Sequence, residues 1–402
     1  MTEATLLFNP FEPGFTDDPY PAYKRMRETD PVHEHPFGMW IVTGYEDVVT
    51  VLRSRLSVDE RQVTGGMLRE QYDQLDAGAR VVLGMSMLDR DPPDHTRLRS
   101  LVAKVFTPRS VAALEPRITA LVDESLDRIA ADGGGDLVES LAFPLPFAVI
   151  SQMLGVPPTD HVRIRELSGW LVRSLEPVPD GDTMRRVGEA ADELASLGRE
   201  LVARKRADLA DDLLSALIAA EEDGDRLSDD ELVAQLVLLY VAGHETTVNL
   251  ISGGTLALLR HPDQLALLRE RPDLAANAVE EMLRYDSPVQ QSRRITVEPF
   301  TLAGKEIPAG TFVAVSLASA NRDEAFWGPD ADRLRIDREN ARQHVSFGSG
   351  VHHCLGAALA RLEGRVAVER LVHRFPDLAL AAEPRWNGRI NLRGPATLPI
   401  TV

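Results

Sequence analysis

A single cysteine, Cys354, stands in 402 residues. It cannot close a disulfide within the chain, nor build a Cys-rich zinc site or a Cys-ligated iron–sulfur cluster. Long apolar runs are missing too. The longest, Leu236 to Ala242, falls far short of the ~20 residues that cross a bilayer. No basic stretch followed by an apolar one opens the chain, so the amino terminus does not read as a signal peptide. Basic side chains are in deficit, 44 against 62 acidic ones, for a net charge of −18. That balance argues against general affinity for nucleic acid or anionic membrane, which needs clustered Lys and Arg. The unpaired cysteine suits a reducing compartment, and the expected location is cytoplasmic.

No repeat period and no Gly/Ser- or Pro-rich linker divides the chain, so residues 1–402 are expected to form one domain. The fold class predicted is mainly α with small β-sheets: a β-rich part at roughly 30–60 and 295–320, and a helical core elsewhere. Val32 to His35 and Met39 to Thr43 suit strands on either side of a turn with Pro36 and Gly38, and Thr311 to Leu317 suits a third. Ser228 and Glu231 have capping-box spacing, and the chain then runs without proline to His261. Apolar residues from Leu232 to Val241 cover most of that helix's circumference, so it is predicted to be buried. A second helix is predicted to start beside Cys354, with Leu355, Ala358, Leu359, Leu362 and Val366 on one face, and to end by Phe375-Pro376. There, free N–H groups and the helix dipole would favour a thiolate.

Read one at a time, the polar residues on these elements have ordinary uses. A lone cysteine is a small hydrophobe. Thr246 in mid-helix bonds back to the carbonyl four residues earlier, while the neighbouring Glu245 needs a partner if buried. Glu281 and Arg284 share one helix face, as surface ion pairs do.

In order along the chain, the same residues carry a resemblance. Phe347-Gly348-Ser349-Gly350-Val351-His352-His353-Cys354-Leu355-Gly356 resembles the haem-binding signature of the cytochrome P-450 superfamily, Phe-x-x-Gly-x-x-x-Cys-x-Gly, at every specified position. By that resemblance Cys354 is the axial thiolate ligand and sole metal-binding residue of haem b (iron protoporphyrin IX). Phe347 packs on the proximal face, Gly350 and Gly356 permit close backbone approach, and His352 binds a propionate. Ala242-Gly243-His244-Glu245-Thr246-Thr247 resembles the family's Ala/Gly-Gly-x-Asp/Glu-Thr segment, which opens a groove for dioxygen beside Ala242 and Gly243 and makes Glu245 and Thr246 a catalytic acid–alcohol pair. Glu281 and Arg284 resemble the family's buried Glu-x-x-Arg element, with Arg333 aligned as its third, structural arginine. His95 and Arg99, in Asp91-Pro92-Pro93-Asp94-His95-Thr96-Arg97-Leu98-Arg99, resemble a propionate-binding pair. Arg294 aligns with a further propionate-binding arginine, with Arg293 an alternative register.

The resemblance runs from about Asp18 to the end. It implies the bacterial soluble, class I haem-thiolate fold, with haem between a long central helix and a proximal Cys loop. The activity implied is monooxygenation: dioxygen gives one atom to an organic substrate and one to water, by hydroxylation or epoxidation of a moderately large polyketide, steroid or peptide-derived molecule. Oxidative coupling, peroxide-driven oxygenation and a non-catalytic haem-binding recruiting role are the alternatives. Since no Gly-x-Gly-x-x-Gly fingerprint stands between strand and helix, NAD(P)H-derived electrons are expected through a ferredoxin and its ferredoxin reductase. Five arginines (342, 361, 365, 370, 374) against Glu363 and Glu369 between Ala341 and Arg374 suggest a basic docking patch for an acidic ferredoxin. The protein is expected to be a monomer. The pocket walls expected are Asp59 to Leu88, Trp170 to Asp182, Val241-Ala242 and Val289 to Ser292.

Overall fold

The 31-residue helix Asp229–Leu259 is the axis of the fold. Its start is fixed chemically. The Ser228 hydroxyl accepts the Glu231 N–H at 3.3 Å, and the Glu231 carboxylate accepts the Ser228 N–H at 2.8 Å. Asp229, Asp230 and Glu231 place negative charge on the dipole's positive end. The helix stops two residues before His261, which is drawn out of the helical region (φ −126°, ψ 77°) ahead of Pro262, as steric contact with a following proline ring requires. Around it pack Pro144–Leu154, Gly181–Ala207, Ala77–Gly84, Ala275–Tyr285 and Ala357–Arg374. The largest apolar cluster is centred on this contact. The computed structural model describes residues 8–63, 77–158, 161–176, 180–220 and 226–402. Residues 64–76 and 177–179, within two of the expected pocket walls, lie outside that range.

The predicted strands join a four-stranded sheet ordered Val32–Glu34, Trp40–Val42, Phe312–Ser316, Gln291–Ile295. Trp40–Val42 runs parallel to Phe312–Ser316; the other pairings are antiparallel. Strands also occur where only helix was expected. Gln291–Ile295 lacks β-formers before its last residue and is held by its ladder to Phe312–Ser316. Gly134–Asp136 pairs with Pro399–Thr401, which also pairs with Ala379–Leu380. Elements of two or three residues are too short to show a period.

The Glu281–Arg284 pair is not on the surface. Both side chains are fully buried and joined by two hydrogen bonds of 2.7 and 2.8 Å. Arg284 also donates to the carbonyls of Asn321, Ala331 and Arg333 at 2.7–2.8 Å. The third arginine is Arg338, whose Nε lies 3.2 Å from Glu281 Oε1. Arg333 contributes its carbonyl, and its side chain is exposed. The alignment counted residues, whereas this irregular segment turns alternate side chains outward.

Breaking a buried, hydrogen-bonded ion pair strands a charge, at a cost of about 3–5 kcal/mol. Glu281→Gln should lose stability on that scale in denaturant unfolding, and Arg333→Gln should stay within about 0.5 kcal/mol of the parent. Equal losses would return the third place to Arg333.

Candidate active site

The loop that presents Cys354 is closed by its own backbone, the Cys354 N–H donating to the Phe347 carbonyl at 2.8 Å. From below it is tied to helix Ala275–Tyr285. Glu280 bonds to His344 at 3.1 Å and to Arg361 at 2.8 Å, and the Ser346 hydroxyl donates to the Leu283 carbonyl at 2.6 Å. The Arg361 guanidinium lies 4.5 Å from the Phe347 ring centre, fixing that ring on the loop. Gly350 has φ +72°, and a Cβ there would stand 2.7 Å from the Leu52 carbonyl oxygen. Its glycine is demanded by helix Tyr45–Arg53, rather than by a bulky group at the cysteine. Gly356 caps helix Ala357–Arg374, which starts three residues after Cys354.

Cys354 is solvent-accessible. The surrounding protein raises its thiol pKa, against opposing pulls from the Gly356 and Ala357 N–H groups, Arg99 and Arg361. The N–H groups of the helix start do favour the thiolate, but desolvation outweighs them; coordination to a metal would deprotonate the thiol outright.

Beside it lie two histidine rings and two arginines that form no ion pair among the described residues, although Asp91 is near enough to act on His95 and Arg294. The His95 and His352 rings approach to 4.1 Å between centres. His95 is buried, and among the described residues neither of its ring nitrogens has a hydrogen-bond partner. Arg99 donates to the His353 carbonyl at 2.7 Å. Arg294, also buried, bonds only to neutral oxygens of Ser292, Arg293 and Leu52. Burial, followed by repulsion from Arg293, lowers its pKa to about 10. Burial, then His95, Arg294, Arg99 and Arg293, lowers that of His352 to about 3. Arg293 is different, because Glu60 at 2.7 Å and Asp89 at 2.5 Å already neutralise it. Of the two registers, Arg294 is the arginine left for an external anion.

The long helix forms the opposite wall. It meets helix Ala357–Arg374 where Leu250 packs on Gly364 and Thr247 lies beside the buried Glu363. A turn earlier, between buried stretches, Ala242 is exposed and Thr246 partly so. Ala242 on the long helix and Cys354 in the loop before helix Ala357–Arg374 are both exposed. Thr246 Oγ1 donates to the Ala242 carbonyl at 3.0 Å, leaving its lone pairs free to accept. Gly243 faces away from the opening: a Cβ there would be 3.0 Å from Ile150. Glu245 pairs at 2.8 Å with Arg389, which no motif or spacing singles out. Burial pushes the Glu245 carboxyl up, but the adjacent His244 ring and Arg389 outweigh it and hold the carboxyl at about 2. His244 Nε2, at 3.6 Å, is beyond normal hydrogen-bonding distance. Glu363 was also missed as a buried acid, although it stands four residues from Leu359 on the apolar face; burial raises its pKa strongly, against a weaker pull from Thr247.

Residues 171–378 match the family model described as Cytochrome P450. The chain is 45% identical over 399 residues to Cytochrome P450 monooxygenase PikC of Streptomyces venezuelae, covering 96% of this chain and 91% of that one. The chain belongs to the cytochrome P450 family. Vitamin D(3) 25-hydroxylase of Pseudonocardia autotrophica is a 44% identical relative of the P450, with 100% and 98% covered. The solved structure of the Bacillus subtilis polyketide synthase cytochrome P450 PksS superposes with a TM-score of 0.89 at 37% identity, over 98% of this chain and 99% of that one. The protein is thus a P450 monooxygenase, a haem-thiolate enzyme that uses dioxygen. The residues present fit the group: one sulfur ligand, and beside it arginine and imidazole groups without an ion pair among the described residues, which two propionates would engage. No helix among the described residues is long and apolar enough to cross a membrane.

Arg294→Leu should weaken haem retention by apoprotein about 10-fold or more, measured by transfer of haem to an acceptor globin, since a charge-assisted hydrogen bond contributes about 1.5–3 kcal/mol. Unchanged retention would exclude Arg294 from the anion site. The Glu245 carboxyl gives a pH signature. Its folded pKa lies below the ordinary 4.5, so its contribution to stability is complete above that value and is lost as pH falls towards about 2. Glu245→Gln should flatten the acid limb of the stability curve in that window; an unaltered limb would contradict the ion pair.

Proposed function

We propose that this P450 hydroxylates or epoxidises a moderately large natural product of the polyketide or steroid class, residues 1–402 acting as one unit. The balance is substrate C–H, dioxygen, two electrons and two protons in, and C–OH and water out. Names among the relatives support the substrate class: one is a polyketide synthase P450, another a vitamin D(3) hydroxylase. Peptide-derived molecules are the third class to test.

Cys354 would hold the haem, which would supply the reductive activation of dioxygen. The protein's task is to orient substrate and deliver protons. The observation that carries the reading is the opening at Ala242 and Thr246 in a helix otherwise buried on either side of it. There the Thr246 hydroxyl can accept a hydrogen bond from an incoming donor while anchored on the Ala242 carbonyl. Glu245 is the adjacent acid that replenishes the proton. Haem propionates would take His95, Arg99, Arg294 and His352 as partners.

Electrons are assigned to a ferredoxin and its NAD(P)H-linked reductase, with docking near the Cys loop. The basic patch there is weaker than its local sequence. Helix Glu115–Asp132 supplies Glu115 to Arg365, Asp123 to Arg370 at 2.6 Å and Asp127 to Arg374 at 3.0 Å, and Arg361 is held by Glu280. Arg342, 74% exposed and 3.6 Å from Glu280, is the arginine of the five best placed to meet a partner.

Spectral titration with macrolactones, sterols and cyclic peptides should identify a binder by its Soret shift. With that binder, ferredoxin, reductase and NAD(P)H, the parent protein should form product. Thr246→Ala should keep haem and reduction but lower product per reductant about 10-fold or more, with hydrogen peroxide in its place, since positioned proton transfer contributes about 10²–10⁴ in rate. Unchanged coupling would remove Thr246 from proton delivery. Product formed only with added peroxide would favour the peroxide-driven alternative.

A further inference from the structure

An acid meant to pass on a proton is here tied to a guanidinium, and that guanidinium is carried by a loop whose backbone is itself clamped. Residues 387–394 close on themselves: the Asn387 N–H donates to the Gly394 carbonyl at 3.0 Å, and its side-chain amide to the Leu392 carbonyl at 2.8 Å. Gly388, at φ +69°, makes the turn. At the tip, the N–H groups of Ile390 and Asn391 converge on the Glu176 carboxylate at 2.6 and 3.2 Å, with that of Leu392 more weakly at 3.5 Å. The Asn391 side chain adds a bond to the Leu175 carbonyl at 3.2 Å. From the other side the Gln290 and Gln291 N–H groups hold Asn391 at 2.8 and 3.0 Å. Arg389 therefore has a fixed origin, and its guanidinium reaches Glu245 at 2.8 Å.

Resting on the proton-delivery role given to Glu245 above, we propose that Arg389, set in place by the Glu176 clamp, is a positioning residue that holds the Glu245 carboxylate and controls its release to the Thr246 side. No hydrogen bond joins Glu245 to Thr246 among the described residues, so the acid must leave Arg389 before it can serve the hydroxyl. Two charged or titratable groups border Glu245: Arg389, and His244 on its own helix. Because the Nδ1 of His244 lies 2.7 Å from the Tyr240 carbonyl, which can only accept, that nitrogen carries a proton and Nε2 is the position turned toward Glu245. The exchange is feasible because Arg389 also acts on a second carboxylate. Its charge opposes the burial that raises the pKa of Glu176. When Glu245 takes up a proton and turns away, Glu176 keeps the guanidinium from being stranded without a counter-charge. The proton taken up goes on to the Thr246 hydroxyl side, and the carboxylate left behind returns to Arg389, so charge is conserved over the cycle.

The test is infrared titration of the Glu245 carboxylic C=O band in the haem-loaded protein, assigned by its absence in Glu245→Gln. The parent should show no such band between about pH 5 and 8, because the ion pair keeps the carboxyl charged. In Arg389→Gln the band should appear with its midpoint raised by about two pH units or more, and Arg389→Lys should restore the low midpoint. Glu176→Gln touches neither Glu245 nor Thr246, yet should raise the same midpoint by about one unit while amide exchange at 390–392 quickens about 10-fold or more. It also serves as the readout if Arg389→Gln fails to hold haem. A midpoint unmoved in Arg389→Gln overturns the proposal; faster exchange in Glu176→Gln without a shift overturns the clamp. If Thr246→Ala leaves coupling intact while Arg389→Gln shifts the midpoint, the proton-delivery reading falls and the positioning of Glu245 stands.

Discussion

Two adjacent buried carboxylates, Glu280 and Glu281, hold the catalytic side of this protein together. Neighbours on a helix point about 100° apart, so one turn of Ala275–Tyr285 reaches in two directions. Glu281 gathers Arg284, Arg338 and the Arg335 N–H, and through Arg284 the carbonyls of Asn321, Ala331 and Arg333. Glu280 gathers His344 and Arg361, which border the cysteine loop on either side. Asn321 closes the circuit, accepting the Val345 N–H at 2.8 Å and donating to Ser287 and Ser346. Such charges are costly to bury, and they are tolerable only because nearly every lone pair is used. What they give in return is a sulfur atom whose position depends on very little that can move.

Beside the sulfur, histidines and arginines crowd together without an ion pair among the described residues, an arrangement suited to a chain that would receive carboxylates. His352 shows this most plainly, since burial first and then its cationic neighbours lower its pKa, and a ring so placed would become a donor once negative charge arrived. On the proposed assignment, the anionic groups of the cofactor would relieve that repulsion.

Much of this was legible in residue order. The Ser228 cap, the long buried helix and the helix after Cys354 were readable because caps and apolar periodicity are local properties. The motif around Cys354 was readable because its spacing is long and specific. What escaped depends on contacts between distant segments. Arg389 is 144 residues from Glu245, and nothing near either one announces the other. Arg338 displaced Arg333 because an irregular segment chooses which side chains turn inward, a matter of tertiary packing. The partial neutralisation of the basic patch escaped for the same reason: a charge sum over 34 residues could not see the acids of helix Glu115–Asp132 lying against it.

The glycine at position 350 also sets a clock. Its loop is butted against the Leu52 carbonyl, and Ser349 accepts a bond from Arg53 across 296 residues of chain. A ribosome delivers one of these partners early and the other near the end. Until then the cysteine loop has no wall to close against, and contacts of such separation make for slow closure.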